Sequence, residues 1–181
     1  MRSKALGTDE PLERSYVALS EVYRASRLAP EDKDINYYRE ITTLEFLDLL
    51  NANYDELLNS SRPKTLLPKA RLTAELRPKN SFVQELLWVT LLKLERHQEA
   101  LEPLEAAVAA RAGDFNYLSN LAFAYDQVGR YDDALRTLRE AKDVNPEAAQ
   151  VIDQAIGRIE QKVGDMSESQ EAEQETQIEA P

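Results

Sequence analysis

The stretch from Phe115 to Ala148, FNYLSNLAFAYDQVGRYDDALRTLREAKDVNPEA, decides the fold. Its first half repeats apolar residues three or four positions apart, which predicts a helix with one apolar face. Those residues are Leu118, Leu121, Ala122 and Tyr125, and the second half repeats the pattern with Ala134, Leu138, Ala141 and Val144. Gly129 between them favours the left-handed conformation that ends a helix, and Pro146 disfavours further helix after the second half.

Small residues predict close packing between these two helices. Ala122 on the first helix faces Ala134 and Ala141 on the second, so the two backbones are expected to approach closely. The spacing resembles a tetratricopeptide repeat, a helix-turn-helix unit of about 34 residues. Two positions depart from the family pattern, since Leu118 stands for the usual Trp and Ala122 for the usual Gly.

A second unit of the same kind precedes this one at residues 81–112. The positions that match the later unit are Leu87, Leu91, Ala100, Leu104 and Ala107. Ser81 and Gln84 have the spacing of a capping box, which predicts the start of the helix at Ser81. Trp88 replaces the small residue at the close contact, and Glu95 replaces the turn glycine. Repeats of this type need neighbours to bury their apolar faces, so at least three are expected.

The N-terminal part is less regular. Residues 1–10 are expected to be flexible, and residues 11–29 read as the second helix of a repeat whose first helix is missing, so this lone helix either caps the array or marks a chain cut from a longer repeat protein. Leu12, Tyr16 and Tyr23 are expected to cover its apolar edge or to meet another subunit. Residues 34–78 read as an irregular repeat with an insertion near 55–64, and its second helix is predicted at residues 65–76.

Two prolines, Pro68 and Pro103, fall within predicted second helices. Each either bends its helix or marks its start.

The C-terminal part is predicted to cap the array and then lose its structure. Apolar residues recur at helical spacing over 147–163, with Asn145 as the N-cap and Gly164 as the end of the helix. Residues 165–181 carry six carboxylates and no Lys or Arg, and are predicted to be a disordered acidic tail. Such a tail is either a solubilising segment or an electrostatic tether or autoinhibitory strip.

Composition excludes several classes of function. A net charge of −11 over 181 residues argues against nucleic acid or an anionic membrane as partner. The absence of cysteine excludes disulfides and thiolate chemistry. With no apolar run of about 18 residues, membrane insertion is not predicted. The N-terminus lacks the apolar core of a secretory signal, so a cytoplasmic location is expected, with a periplasmic location or a fragment of a larger protein as the alternatives.

No residue pattern indicates catalysis. His97 is the only histidine and falls in an interhelix turn, where packing is its expected role. The five glycines form no phosphate-binding cluster. Catalytic residues, cofactors and metals are therefore all predicted to be absent, and we expect no enzymatic activity.

The family resemblance implies a concave groove lined by the first helix of each repeat. The groove residues that it implies are Phe82, Glu85, Val89, Leu92, Lys93, Asn116, Ser119, Phe123, Asp126 and Gln127. Family members that grip a chaperone's terminal carboxylate use Lys, Asn and Arg there, whereas this chain has Glu85, Ser119 and Phe123, so no such clamp is expected. Apolar members of the set favour recognition of a helical or extended segment.

These patterns predict an all-α chain of antiparallel helix-turn-helix repeats, stacked as a short right-handed α-solenoid of about three repeats plus the lone N-terminal helix and the C-terminal capping helix. Residues expected to hold the repeats together are Leu87, Ala100, Leu104, Leu121, Ala122, Tyr125, Gly129, Ala134, Leu138, Ala141 and Pro146. Three hypotheses for function follow: an adaptor that binds a segment of a partner protein, a small dedicated secretion chaperone, and a fragment that self-associates as a homo-oligomer through the N-terminal helix.

Overall fold

The computed structural model describes residues 9–59 and 62–178, and in that part of the chain every regular element is helical. The α-helices are α1 Asp9–Leu28, α2 Lys33–Ala52, α3 Tyr54–Asn59, α4 Pro63–Leu76, α5 Ser81–Lys93, α6 His97–Ala110, α7 Phe115–Gln127, α8 Tyr131–Val144 and α9 Ala149–Ile178, with a 3-10 turn at Pro146–Ala148. The predicted all-α fold is confirmed. Two compact units divide the chain, residues 1–95 and 96–181.

In the first unit, α1 packs against α2 and α4 packs against α5. The core includes Leu19, Phe46 and Leu86, all fully buried, and the ring of Tyr16 lies 6.0 Å from that of Phe46. The helix predicted to lack its preceding partner therefore packs on the helix that follows it, α2. Leu12 is a buried member of this core and does not form an apolar edge. Of the predicted flexible N-terminus, residues 1–8 lie outside the described part of the chain.

The predicted insertion near 55–64 is largely helical. Helix α3 begins directly after Asn53, and α4 begins at Pro63, two residues before the predicted start. Proline suits the first turn of a helix, where its missing N–H is not needed. Tyr54 explains why the segment folds, since its ring packs against Phe82 with centroids 5.1 Å apart.

The short polar side chains of Asp32, Asn80 and Asp114 cap α2, α5 and α7. Asp32 accepts hydrogen bonds from the backbone N–H groups of Asp34 and Ile35 at 3.0 Å. Asn80 accepts from Val83 at 3.2 Å, so the capping box predicted to start at Ser81 is wrong by one residue. The backbone of Asn80 is extended, as an N-cap requires, whereas Ser81 is already the first helical residue.

The second unit packs α6 against α7, α7 against α8, and α8 against α9. Ala122, Ala134 and Ala141 are buried at the contact between α7 and α8, as their size predicted. The other predicted packing residues that are buried are Ala100, Leu104, Leu121, Tyr125 and Leu138. Leu87 of the first unit is half-buried, while Gly129 and Pro146 are exposed.

Gly129 ends the helical backbone of α7 with φ of +78°, the conformation predicted for it. Glu95 stands at the corresponding turn after α5 and adopts φ of 57°. A residue with a Cβ atom holds this conformation at a cost of roughly 1–2 kcal/mol, which glycine avoids. The earlier turn is therefore strained where the later one is not.

Both internal prolines lie inside helices, Pro68 in α4 and Pro103 in α6. The alternative that each helix begins at its proline is wrong, because α4 begins at Pro63 and α6 at His97. Each proline removes one backbone donor from its helix.

Helix α9 extends far beyond its predicted end. The structure continues the helix to Ile178, whereas the sequence predicted an end at Gly164 and a disordered tail from Asp165. Glu and Gln make up half of residues 165–178 and favour helix, and an interior glycine costs only about 1 kcal/mol. No proline occurs between Pro146 and Pro181 to interrupt it. Residues 179–181 lie outside the described part.

The segment after α8 also differs slightly from its prediction. Residues 146–148 form a 3-10 turn, and Asn145 makes no side-chain cap. Over the described residues, no helix is both long and apolar enough to span a bilayer.

Candidate functional site

A cavity of about 420 Å³ opens between α7 and α9 in the second unit. Its lining residues are Phe115, Ser119, Ala122, Phe123, Asp126, Gln127, Leu138, Ala148, Val151, Ile152, Ala155, Arg158, Ile159 and Lys162. We call this cavity the α7–α9 groove. Its volume lies within the range of about 300–1,000 Å³ that is typical of ligand-binding clefts.

Helix α7 forms one wall of the groove. Ser119, Phe123, Asp126 and Gln127 line it, and all four belong to the groove residues that the family resemblance implied. Ser119 lies four residues before Phe123, and Asp126 and Gln127 lie three and four residues after it, so one face of α7 presents them together. Asn116 is exposed but does not line the cavity.

Helix α9 forms the other wall, which the sequence prediction missed. It contributes Val151, Ala155, Arg158 and Lys162, again at three- and four-residue spacing. A signal was present in the sequence. Val151 and Ile152 are adjacent and both apolar, which makes the apolar face of α9 wider than packing against one helix requires. Ile152 is buried, whereas Val151 is 68% exposed.

One ion pair closes one end of the α7–α9 groove. Lys162 Nζ lies 2.7 Å from Asp126 Oδ1 and 3.0 Å from Oδ2. The positive charge of Lys162 is therefore neutralised within the site. Arg158 also lines the groove, and it forms no ion pair with any residue that the structure describes. The groove thus combines apolar walls with one uncompensated positive charge.

Phe123 is the large apolar side chain at the mouth of the groove. It is 47% exposed, and its ring meets that of His97 edge to face with centroids 5.4 Å apart. Aromatic rings favour this edge-to-face arrangement, so the contact orients the phenyl ring. His97 therefore packs, as the sequence predicted, and it supports a groove residue.

The other five implied groove residues lie in the first unit. Phe82, Glu85, Val89 and Leu92 are half-buried, and Lys93 is exposed. Phe82 packs against the core of that unit and against the ring of Tyr54. Much of its surface is therefore already occupied within its own unit.

Behind the groove wall, a polar cluster fixes the end of α7. The Tyr125 hydroxyl donates a hydrogen bond to Glu105 at 2.7 Å, and the Arg130 guanidinium lies 4.4 Å from the centre of the Tyr125 ring. Burial and the hydrogen bond to Glu105 raise the pKa of Tyr125 to about 12. A tyrosine that holds its proton so firmly is suited to structure rather than to proton transfer near neutral pH.

In the described ranges, no group of three or more His, Asp or Glu residues has the arrangement of a metal site. Besides apolar packing and the ion pair of Lys162 with Asp126, the groove lining contains a hydrogen bond that the Ser119 hydroxyl donates to the Phe115 carbonyl at 2.8 Å.

Comparison with solved structures places the chain among helical-repeat folds. A MamA structure from Desulfovibrio magneticus RS-1 (41-end) matches 94% of this chain and 89% of its own, with 21% identity and a TM-score of 0.52. Another, MamA MSR-1 C2, matches 88% and 86% with 17% identity and a TM-score of 0.55. At these identities the likeness shows the fold alone.

One curated protein, human superkiller complex protein 3, is 33% identical over 78 residues. The match covers 40% of this chain and only 5% of that protein's length. No family model matches the chain. The sequence and structural likenesses together confirm the predicted tetratricopeptide-like fold.

Proposed function

We propose that this chain is a non-enzymatic interaction module that binds a segment of a partner protein in the α7–α9 groove. The observation that carries the proposal is the exposure of Phe123 and Val151 on the two walls of one apolar cavity. Apolar side chains in such a position lose water when a partner's side chain enters between them. Aromatic anchors in desolvated pockets carry much of the energy of protein interfaces.

The shape of the site favours a helical or extended segment over a small molecule. The walls are two helices whose lining residues recur along several turns, from Phe115 to Asp126 on α7 and from Val151 to Lys162 on α9. A groove of this form suits an amphipathic segment that places apolar residues at repeated spacing. Arg158 would then select a carboxylate on the partner next to its apolar anchor.

Affinity capture tests this proposal with a matched pair of variants. Phe123→Arg places a charge in the groove, and Met166→Arg makes the same change at a side chain of equal exposure, 47%, that does not line it. We expect a protein that is recovered with the wild type and with Met166→Arg and is lost with Phe123→Arg. Equal recovery with all three proteins would contradict the proposal, provided circular dichroism shows that Phe123→Arg remains folded.

A further inference from the structure

The exposed face of α2 in the first unit carries an apolar strip that no described element covers. Tyr37 and Leu44 are 64% and 50% exposed, and Ile41 between them is half-buried. These residues lie four and three positions apart, so they share one face of the helix. Tyr38 extends the strip, with its ring 5.9 Å from that of Tyr37 in an edge-on arrangement.

Scattered exposed apolar residues are ordinary on a protein surface, but a contiguous set on one helix face indicates an interaction site. The opposite face of α2 already packs against α1 through Phe46 and Leu50, which are fully buried. The exposed strip is therefore not required for the core of the unit.

Carboxylates lie at the two ends of this strip and beside it: Asp34 precedes Tyr37 by three residues, Asp48 follows Leu44 by four, and Glu45 lies next to Leu44. Asp34, Glu45 and Asp48 are exposed, and none of them forms an ion pair with a residue of the described part of the chain. Lys33, one turn before Tyr37, is the one cation of α2 next to these three carboxylates, so this face of α2 carries a net negative charge. The acidic residues do not by themselves make a site. They set the charge that an occupant of the apolar strip must carry.

We propose that the α2 face, defined by Tyr37, Tyr38, Ile41 and Leu44 with Asp34, Glu45 and Asp48, binds a basic amphipathic helix of another protein. The partner's apolar stripe covers the α2 strip, as in helix-to-helix recognition. Its Lys or Arg residues, at the two ends of that stripe and beside it, pair with the three carboxylates. This surface belongs to the first unit and its proposal does not depend on the α7–α9 groove.

The test uses two synthetic peptides of about 14 residues, which form roughly four helical turns. In the first peptide, Leu recurs at three- and four-residue spacing and Lys fills all the remaining positions. In the second peptide, Glu replaces each Lys. Binding to the full chain is measured by fluorescence anisotropy. We expect the Leu/Lys peptide to bind with an affinity that falls as salt rises, and the Leu/Glu peptide to bind at least 10-fold more weakly.

Charge reversal on the α2 face provides the decisive variant. Glu45→Lys with Asp48→Lys is expected to weaken the Leu/Lys peptide at least 10-fold and to strengthen the Leu/Glu peptide. The matched control is Glu140→Lys with Glu147→Lys, which changes the net charge equally but at exposed residues of the second unit that form no described ion pair. This control should bind the Leu/Lys peptide within about 3-fold of the wild type, because only screened long-range attraction is lost.

A third variant tests the apolar strip. Tyr37→Ser with Leu44→Ser should weaken the Leu/Lys peptide about 10-fold at high salt, and amide chemical shifts of the wild type should change on α2 when the peptide is added. An equal loss in both charge-reversal variants would show attraction to overall charge only and would overturn the proposal. So would an unchanged affinity in the serine variant, or no binding to the wild type.

Discussion

Lys162 of α9 binds Asp126 of α7 through both carboxylate oxygens, at 2.7 and 3.0 Å, and thereby joins the two walls of the α7–α9 groove at one end. Asp126 is largely shielded from solvent, whereas Lys162 is half exposed. Helix α9 also meets α8 through Lys142 and Asp153, at 2.6 Å. Ion pairs therefore join α9 to both α7 and α8, in addition to the packing of its apolar face.

Lys162→Met should lower the free energy of unfolding by less than about 1 kcal/mol, because half-exposed ion pairs contribute little. Urea unfolding followed by circular dichroism measures it. The control is Arg139→Met, which removes a longer and more exposed pair with Glu160 at 3.6 Å and should have a smaller effect. A loss above about 2 kcal/mol for Lys162→Met would mean that the pair organises α9, contrary to this account.

Gly129→Ala should destabilise the protein by about 1 kcal/mol because alanine is strained at φ of +78°. Space is not the limit, since no atom lies within 4 Å of the position of an added Cβ. Gly157→Ala is the matched control, in the interior of α9 with the same open surroundings. It should stabilise the protein by about 0.5–1 kcal/mol. Equal effects of the two substitutions would contradict the role given to Gly129.

Asp114→Ala should lower the free energy of unfolding by about 1 kcal/mol, because it removes the cap of α7. The side chain accepts hydrogen bonds from the N–H groups of Asn116 at 2.9 Å and Tyr117 at 3.3 Å. Asp114→Asn keeps an acceptor in the same place and should cost much less. Thermal unfolding of the two variants separates them, and equal losses would assign the effect to charge rather than to capping.

Stability at high pH should depend on Tyr125. Its pKa is raised from 10.0 to about 12, so the folded state holds the phenolic proton more firmly than the unfolded state does. The resulting stabilisation is complete below pH 10 and is lost as the pH rises through about 12. Tyr125→Phe should remove this part of the pH dependence and cost about 1 kcal/mol at neutral pH for the lost hydrogen bond.

Glu105→Gln provides the control for that prediction. It removes the negative charge that helps to raise the pKa of Tyr125, so the pKa should move back toward 10.0 while burial keeps it above that value. Ultraviolet absorbance of phenolate follows the titration. An unchanged pH dependence of unfolding in Tyr125→Phe would rule out this residue as its source.

Local patterns in the sequence predicted those parts of the fold that local contacts determine. The alanines at 122, 134 and 141 predicted the close contact of α7 and α8, and Gly129 predicted the turn between them. Helix α3 was not predicted, because its six residues are too short for periodicity and fold through the tertiary contact of Tyr54 with Phe82. Gly164 predicts the end of α9, but a single glycine inside a helix does not stop it, and the helix continues to Ile178.

The candidate site was only half visible in the sequence. Ser119 and Phe123 on α7 are implied by the resemblance to a tetratricopeptide repeat, whereas the second wall depends on where α9 packs. That position is set by contacts with α8, such as the ion pair of Lys142 with Asp153. These two residues belong to different helices, so their contact leaves no periodic pattern in the sequence. The sequence likewise does not reveal that Tyr37 and Leu44 are exposed, because both faces of α2 carry apolar residues and tertiary packing decides which face is buried.

Site-specific cross-linking tests the central claim, that the α7–α9 groove receives a partner segment. The chain contains no cysteine, so Val151→Cys introduces a single thiol in the groove, and Met166→Cys introduces one outside it. Each thiol carries a benzophenone maleimide, and the labelled proteins are irradiated in native lysate. We predict a cross-linked protein at position 151 that is absent at position 166 and is lost when Phe123→Arg is added. The same products at both positions, or products unaffected by Phe123→Arg, would contradict the claim.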